Sequence, residues 1–368
     1  MKKTLAALII GAFAASAANA AVVYDNEGTK VEVGGSVRLI LESTNKGYKD
    51  KLGADKKVNT HTGLRNDGSR FNFKVKHDLS SGYYALGNVE VRLDGKHQVV
   101  TQGAHKADAK EDGFGNLNVK RAYVGIGHKE RGEVRFGRQV TIADSLVIAK
   151  DYSYGLIEQN DYVSKEGNSV IRYDYKGIEG LQLGAGYQFA EDRNDEYEVV
   201  DGKVANSTQF GALYEKDGII AKLAFGRTNY KADKTNAAGV KKHRDGILAS
   251  FGYEFNGLTL SLDGGYAKTK FTKAPETEKR FFVSPGFQYQ VTDLSNVYGN
   301  YKYERATARD NSKDVEHGFL LGADYKLHKQ VVAYVEGKYV TAKEYDQQGQ
   351  KTGTTKDKAI GVGMRVFF

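Results

Sequence analysis

The sequence predicts an all-β protein, a 16-stranded antiparallel transmembrane β-barrel with short turns at one end and long loops at the other. Three observations carry that expectation. Apolar and polar residues alternate with a period of two along most of the chain. The segments between alternating runs are short and long by turns. No segment repeats apolar residues at helical spacing, so nothing helical is available to cover the apolar faces of the strands.

The first twenty residues stand apart. Lys2 and Lys3 precede an apolar run from Leu5 to Ala18 broken only by Ser16, and Ala18-Asn19-Ala20 has the small-x-small form of a cleavage site. As a helix that run would span only ~21 Å, against a hydrocarbon core of ~30 Å. Residues 1–20 therefore read as a signal peptide cleaved before Ala21, leaving residues 21–368 as one barrel domain.

The alternation then begins. Val31, Val33, Val37, Leu39 and Leu41 share one parity, and Glu32, Ser36, Arg38 and Glu42 the other. Phe71, Phe73 and Val75 alternate with Arg70, Asn72, Lys74 and Lys76. Leu181, Leu183, Ala185, Tyr187 and Phe189 interleave with Gln182, Gly184, Gly186 and Gln188. Phe319, Leu321, Ala323, Tyr325 and Leu327 do so with Gly322, Asp324 and Lys326. Successive strand side chains point to opposite faces, so each run has one apolar and one polar face. Seven short gaps (80–82, 129–132, 178–180, 216–218, 256–257, 293–295, 328–330) separate eight mostly longer ones (44–63, 94–115, 141–168, 191–207, 231–244, 273–277, 306–314, 346–355), which joins sixteen strands. Short periplasmic turns and long external loops are the pattern of an outer-membrane barrel, whose closure leaves no unpaired edge in lipid. Pro285 lies inside an alternating run and cannot donate to a ladder, so a bulge or local distortion is expected there. Ile360, Val362, Met364, Val366 and Phe368 alternate with Gly361, Gly363 and Arg365, a closing strand that ends on an aromatic residue.

Composition agrees with this reading. The chain is polar on average (mean hydropathy −0.54) yet holds 43 Gly, 24 Tyr and 17 Phe, with 2 Pro and no Cys. Without cysteine, no disulfide holds the fold and no thiolate serves as ligand or nucleophile. The formal charge of +8 falls to +6 without Lys2 and Lys3, and the basic residues are spread among many acids, which argues against a nucleic-acid partner. None of the eight histidines has metal-ligand spacing, and neither a phosphate-cradling glycine motif nor a nucleophile elbow occurs, so no cofactor or metal is expected. A barrel of ~16–18 strands is wide enough to hold an aqueous channel, which the polar, glycine-rich inner face would line. By parity that face carries Arg38, Arg70, Lys74, Arg92, Arg172 and Arg365.

The strand Val31 to Leu41, the runs Lys120-Arg121-Ala122-Tyr123-Val124-Gly125 and Gly132-Glu133-Val134-Arg135-Phe136-Gly137-Arg138-Gln139, and the terminal Phe368 together resemble the general trimeric porins of Gram-negative outer membranes, most of all the major porins of Haemophilus and related Pasteurellaceae. The resemblance spans essentially the whole chain. It implies a homotrimer, passive diffusion of ions and small hydrophilic solutes, and a third external loop folded into each barrel. It also implies that Phe368 belongs to a signal read by the outer-membrane assembly machinery.

The third long gap, 141–168, is the longest of the set and contains Ile142-Ala143-Asp144-Ser145-Leu146-Val147-Ile148-Ala149. Apolar residues are of use on a loop that packs against a barrel wall. Asp144, Asp151, Glu158, Asp161 and Glu166 against Lys150 and Lys165 give the loop a net charge of −3. Asp144, Asp151, Glu158 and Asp161 are the candidate acidic constriction, although the Pro-Glu-Phe-Gly-Gly-Asp motif of enterobacterial relatives is absent. The resemblance supports Arg70 and Lys120, and more loosely Lys165, as basic residues of the pore wall. Loop acids facing a basic wall would set a transverse field, focused by low-dielectric surroundings. Lys46 to Lys57 reads as external surface able to touch anionic lipopolysaccharide. Two other readings compete: an outer-membrane barrel enzyme, which needs a convergent acid, base or nucleophile set, and a structural or adhesive surface protein.

Overall fold

The computed structural model describes residues 20–50, 55–94, 114–193, 202–233, 240–272 and 274–368. The expected signal peptide lies outside the described residues but for Ala20. Among the described residues the strands are β1 (Ala21–Asn26), β2 (Thr29–Asp50), β3 (Asp55–Asn66), β4 (Arg70–Asp78), β5 (Tyr83–Asp94), β6 (Asn116–His128), β7 (Gly132–Val140), β8 (Glu166–Ile178) and β9 (Leu181–Gln188). They continue as β10 (Val204–Lys216), β11 (Ile219–Asp233), β12 (Val240–Phe255), β13 (Leu258–Phe271), β14 (Ala274–Thr292), β15 (Ser295–Thr307), β16 (Lys313–His328), β17 (Val331–Tyr345) and β18 (Lys351–Phe367).

These eighteen segments make sixteen staves. β3 and β4 form one stave interrupted at residues 67–69, since β2 pairs with β3 through Leu39–Lys49 and with β4 through Thr29–Ser36. β1 and β18 form another: β18 pairs with β2 from Asp50 to Ser36, and β1 takes over from Val33 to Thr29. At their junction the Gly35 N–H donates to the Phe368 carbonyl at 2.8 Å, and the Phe368 N–H returns to the Gly35 carbonyl at 3.2 Å. A Cβ at Gly35 would lie 2.5 Å from the Arg70 carbonyl oxygen and 2.7 Å from the Phe368 ring, so glycine is what lets the terminal ring cross this backbone.

The short turns fall where expected. Asp217-Gly218 and Asn256-Gly257 place both residues at positive φ (52° and 80°, 48° and 80°), the hairpin geometry that Asp-Gly and Asn-Gly favour. The external gaps are shorter than the polarity of their residues suggested. β2 runs on to Asp50 and β3 starts at Asp55 within the expected loop 44–63, so Lys46 and Lys49 are strand residues. Polar strands can pair beyond the lipid because the ladder satisfies their backbone whatever surrounds it. At Pro285 the pairing to β13 persists, whereas the ladder to β15 skips from Val283 to Gly286 without change of register, a local gap and not a bulge.

The two faces are inverted relative to a soluble protein. Val37, Leu41, Phe71, Phe73, Leu183, Tyr187, Phe319 and Leu321 are exposed on the outside, while Gln209, Asp263, Ser284 and Glu336 are fully buried inside. That exchange is stable only where the outside meets hydrocarbon.

Candidate constriction site

The segment between β7 and β8 leaves the wall and enters the barrel. Its root is tied by the Thr141 N–H donating to the Lys165 carbonyl at 2.8 Å and the Thr141 hydroxyl donating to the Ser164 carbonyl at 2.7 Å. A 3₁₀ turn at Ile142–Ser145 and another at Gln159–Asp161 hold its two arms. Ala143, Leu146, Tyr162 and Val163 pack against Ala224, Leu248, Ala267 and Phe282 of β11 to β14. Tyr154 and Leu156 pack against Ile40, Tyr298, Leu320, Tyr334 and Ala359. A large apolar side chain buried this way contributes roughly 1.5–3 kcal/mol. At Gly246 a Cβ would fall 1.9 Å from the Tyr162 carbonyl oxygen, so the loop lies directly on the β12 backbone.

Wall carboxylates fix the middle of the loop. Asp263 accepts the N–H groups of Ile148 and Ala149 at 2.8 and 3.0 Å. Glu336 accepts those of Tyr152, Ser153 and Tyr154 at 2.6, 2.8 and 2.7 Å, and the Tyr298 hydroxyl at 3.0 Å. Lys150 pairs with Asp324 at 2.5 Å. The Tyr152 ring stacks on Tyr334 at 4.4 Å, and the Arg365 guanidinium sits 4.6 Å from its centroid. Arg365 also donates to Asp67 at 2.8 Å, which places it beneath the loop and not in open lumen. The wall under the middle of the loop is thus apolar and acidic, while Arg244 and Arg280 of β12 and β14 and Arg365 of β18 also reach the loop.

The uncovered wall, on β4, β5 and β6 with Arg38 of β2 beside them, is the basic one. Glu90 lies among three guanidinium groups: Arg92 at 2.6 Å, Arg70 at 3.6 Å and Arg121 at 3.8 Å. Arg38 is buried nearby with its Nε donating to Ser36 at 2.7 Å. Lys120 pairs with Glu166 at 2.8 Å. The β5–β6 register passes from Glu90↔Arg121 to Val91↔Val119, so Lys120 is an inserted residue that breaks the alternation beside Arg121. Arg172 holds the lumen parity but is 5% exposed beneath the loop root, bonded to Asp174 at 2.8 Å and to the Val140 carbonyl at 3.1 Å.

The loop acids separate into different environments. Asp161 is bound by Arg280 at 2.5 Å, and Lys165 by Glu158 at 2.8 Å. Burial holds the Asp144 carboxyl above its ordinary range, opposed by Arg121, Lys165 and Arg172. Asp151 is wetted at its residue surface but enclosed by the barrel, and this enclosure, reinforced by Glu336 and Asp67, raises its carboxyl to about 6. Sequence reasoning missed Arg121, Arg244 and Arg280 on the basic side and Glu90, Asp263, Asp324 and Glu336 on the acidic side. Parity alone marks all of them as inward-facing except Arg121, whose place depends on the inserted Lys120.

Comparison with known proteins agrees with the barrel fold. A family model described as Gram-negative porin matches residues 4–345. The chain is 34% identical to a major outer membrane protein of Pasteurella multocida over the full length of both. Among solved structures it resembles OmpT, an outer membrane protein of Vibrio cholerae, with a TM-score of 0.67 at 17% identity over 94% of this chain and 99% of that one. It also resembles an anion-selective porin from Comamonas acidovorans, with a TM-score of 0.63 at 21% identity over 92% and 100%.

Proposed function

The chain belongs to the Gram-negative porin family and is an outer-membrane β-barrel, and from that premise we propose that its narrowest passage runs between the third loop and the arginine wall of β2, β4, β5 and β6. The protein is a water-filled channel for passive diffusion of ions and small hydrophilic solutes. The observation that carries the placement is uneven docking: the loop is anchored to β9 to β18 and to Ile40 and Glu42 of β2, and leaves Arg70, Arg92, Arg121 and Lys120 of β4 to β6 facing the opening. The acidic limit of the passage is then Asp151 and Glu158, with Asp144 and Asp161 held back by burial and by Arg280. Reconstituted in a planar bilayer, the purified protein is expected to carry stable ohmic ion current. A correctly folded preparation that inserts and carries none would refute the channel and favour the adhesive reading. The wall carboxylates Glu90, Asp324 and Glu336 are engaged by Arg, Lys or backbone N–H groups, which speaks for a structural role over an enzymatic one.

A homotrimer is the second part of the proposal. Outward aromatics belt β8 to β16, including Tyr173, Tyr187, Phe210, Phe251, Tyr266, Phe281 and Phe319. The arc through β18, β2, β3 and β6 presents mainly aliphatic residues, among them Val37, Leu41, Leu64, Val124, Ile360 and Val362. Aromatic girdles mark membrane interfaces, so an arc whose outward aromatics are few, Phe71, Phe73 and Phe368 among them, suits contact with another protomer. Phe368 lies at that arc with its ring 5.8 Å from Phe71, and it closes the barrel as well as ending the chain. We expect an SDS-resistant species of three chains that dissociates on heating, and much less of it in the outer membrane when Phe368 is deleted. Normal trimer levels in the deletion strain would show that neither closure nor recognition by the assembly machinery needs this residue.

A further inference from the structure

A cavity of about 480 Å³ lies on the external side of the third loop's root, between that root and the inner wall of β7 to β12. Its wall follows one row in register: Gln188 of β9, Ser207 of β10, Thr228 of β11 and Arg244 of β12 stand opposite one another in turn. At one end Glu191 accepts the Asn168 N–H at 2.9 Å and the Gln188 amide at 2.7 Å. Both donors are neutral, so the carboxylate keeps its charge uncompensated. At the other end Arg244 donates to the Asn160 carbonyl and lies 5.8 Å from the Tyr230 ring centroid. The β7–β8 ladder passes from Gly137↔Val170 to Gln139↔Gly167, and this irregularity turns Arg138 into the cavity against the outward parity of Val134 and Phe136. Among the described residues no carboxylate lies within 4.0 Å of Arg138 or Arg244, and no cation within 4.0 Å of Glu191. Lys120 and Glu166, also in the wall, cancel as a pair at 2.8 Å.

Two buried polar atoms of the same wall have no hydrogen-bond partner: the Arg244 Nε, a donor, and the Gln139 Oε1, an acceptor. Buried polar groups are as a rule paired, so the cavity suits a ligand that accepts at one point and donates at another. A simple anion would answer the guanidinium groups and leave Glu191 and Gln139 as they are, whereas a zwitterion answers all of them. Neighbouring strands lie ~4.8 Å apart, so about 14 Å separates the backbones of Gln188 and Arg244. The side chains at both ends reach inward and shorten that gap toward the span of two or three extended residues, ~7–10 Å. That span fits a short peptide better than a free amino acid. Two guanidinium groups against one carboxylate leave a place for a second acid on the ligand.

We propose that this cavity is a capture site for short acidic peptides above the constriction, with the ligand's ammonium at Glu191, its terminal carboxylate at Arg244 and an acidic side chain at Arg138. The inference rests on the channel reading, since the cavity faces the vestibule that a solute entering from outside crosses first. The test titrates the refolded protein in uncharged detergent with the dipeptide glutamyl-alanine, its N-acetyl form and its C-terminal amide, followed by saturation-transfer NMR. Wild-type protein is expected to bind the free dipeptide roughly tenfold or more tightly than either blocked form, because each block removes a charged hydrogen bond. Glu191→Gln should erase the preference over the N-acetyl form and keep the preference over the amide. Arg244→Gln should do the reverse. Each comparison is between ligands within one variant, so a change of fold cannot produce this crossed pattern. Arg138→Gln should weaken glutamyl-alanine and leave alanyl-alanine unaffected. Equal binding of free and blocked dipeptides by wild type, or preferences that neither variant alters, overturns the proposal. Wild-type protein that carries ohmic current yet binds none of these dipeptides overturns the capture site alone, whereas folded, inserted protein without current overturns the channel and the site with it.

Discussion

Replacing Glu336 with Ala is expected to release the third loop and raise single-channel conductance, with added current noise. One carboxylate holds three consecutive backbone N–H groups and a tyrosine hydroxyl. Hydrogen bonds to a charged group contribute roughly 1.5–3 kcal/mol each, and a buried donor left unpaired adds its own desolvation cost. The loop therefore loses several kcal/mol of docking even when the terms fail to add. The apolar contacts of Leu146, Tyr162 and Val163 remain, so the two arms stay seated while the middle moves. The barrel should survive, because β17 is held by its ladders to β16 and β18 and not by this side chain. Glu336→Gln keeps an acceptor for part of the set and should fall between the two. Unaltered conductance and noise in Glu336→Ala, with heat resistance equal to wild type, would show that the loop is held by its arms alone.

The loop's seat was written in the sequence in a form that alternation obscures. Outward residues follow the period of two closely, because hydrocarbon tolerates little else there. Inward residues obey a weaker rule, since the inner face meets water in one arc and a protein segment in another. Ile40, Leu248, Phe282, Tyr298, Leu320 and Tyr334 are apolar or aromatic at the polar parity, and each is buried under the loop. Off-parity apolar residues therefore map which staves the loop covers. Their absence from the inward positions of β4, beside Arg70, Asn72 and Lys74, marks the open side. The carboxylate anchors were not legible in this way. An inward Glu or Asp looks the same in sequence whether it meets water or accepts backbone N–H groups. Arg121 was hidden for another reason: the inserted Lys120 in the β5–β6 ladder shifts parity locally, and no residue type announces it.

Neutralising Arg38, Arg70 and Arg92 is expected to move the zero-current potential toward cations, whereas neutralising Asp151 and Glu158 moves it toward anions. The open wall carries an excess of positive charge, because Glu90 is the carboxylate shared by Arg70, Arg92 and Arg121. The wild-type passage should accordingly admit small anions at least as readily as small cations. A unit charge ~6 Å from a passing ion changes its energy by about 0.7 kcal/mol in water, roughly threefold for each ion and, because cation and anion shift in opposite senses, up to about tenfold in their permeability ratio per residue. Asp161→Asn should have a smaller effect, since Arg280 already bonds that carboxylate and retains Glu304 at 2.8 Å. All these shifts should shrink between 0.1 M and 1 M salt, as the Debye length falls from ~10 Å to ~3 Å. Acidity supplies an independent check. With its carboxyl raised to about 6, Asp151 is charged at pH 8 and neutral at pH 5, so lowering the pH removes a negative charge beside Arg365 and Lys165 and shifts preference toward anions. Asp151→Asn should abolish that step and hold the low-pH value throughout. If the basic and acidic substitutions leave the potential in place at 0.1 M salt, these side chains do not line the narrowest passage, and the constriction must lie elsewhere along the barrel.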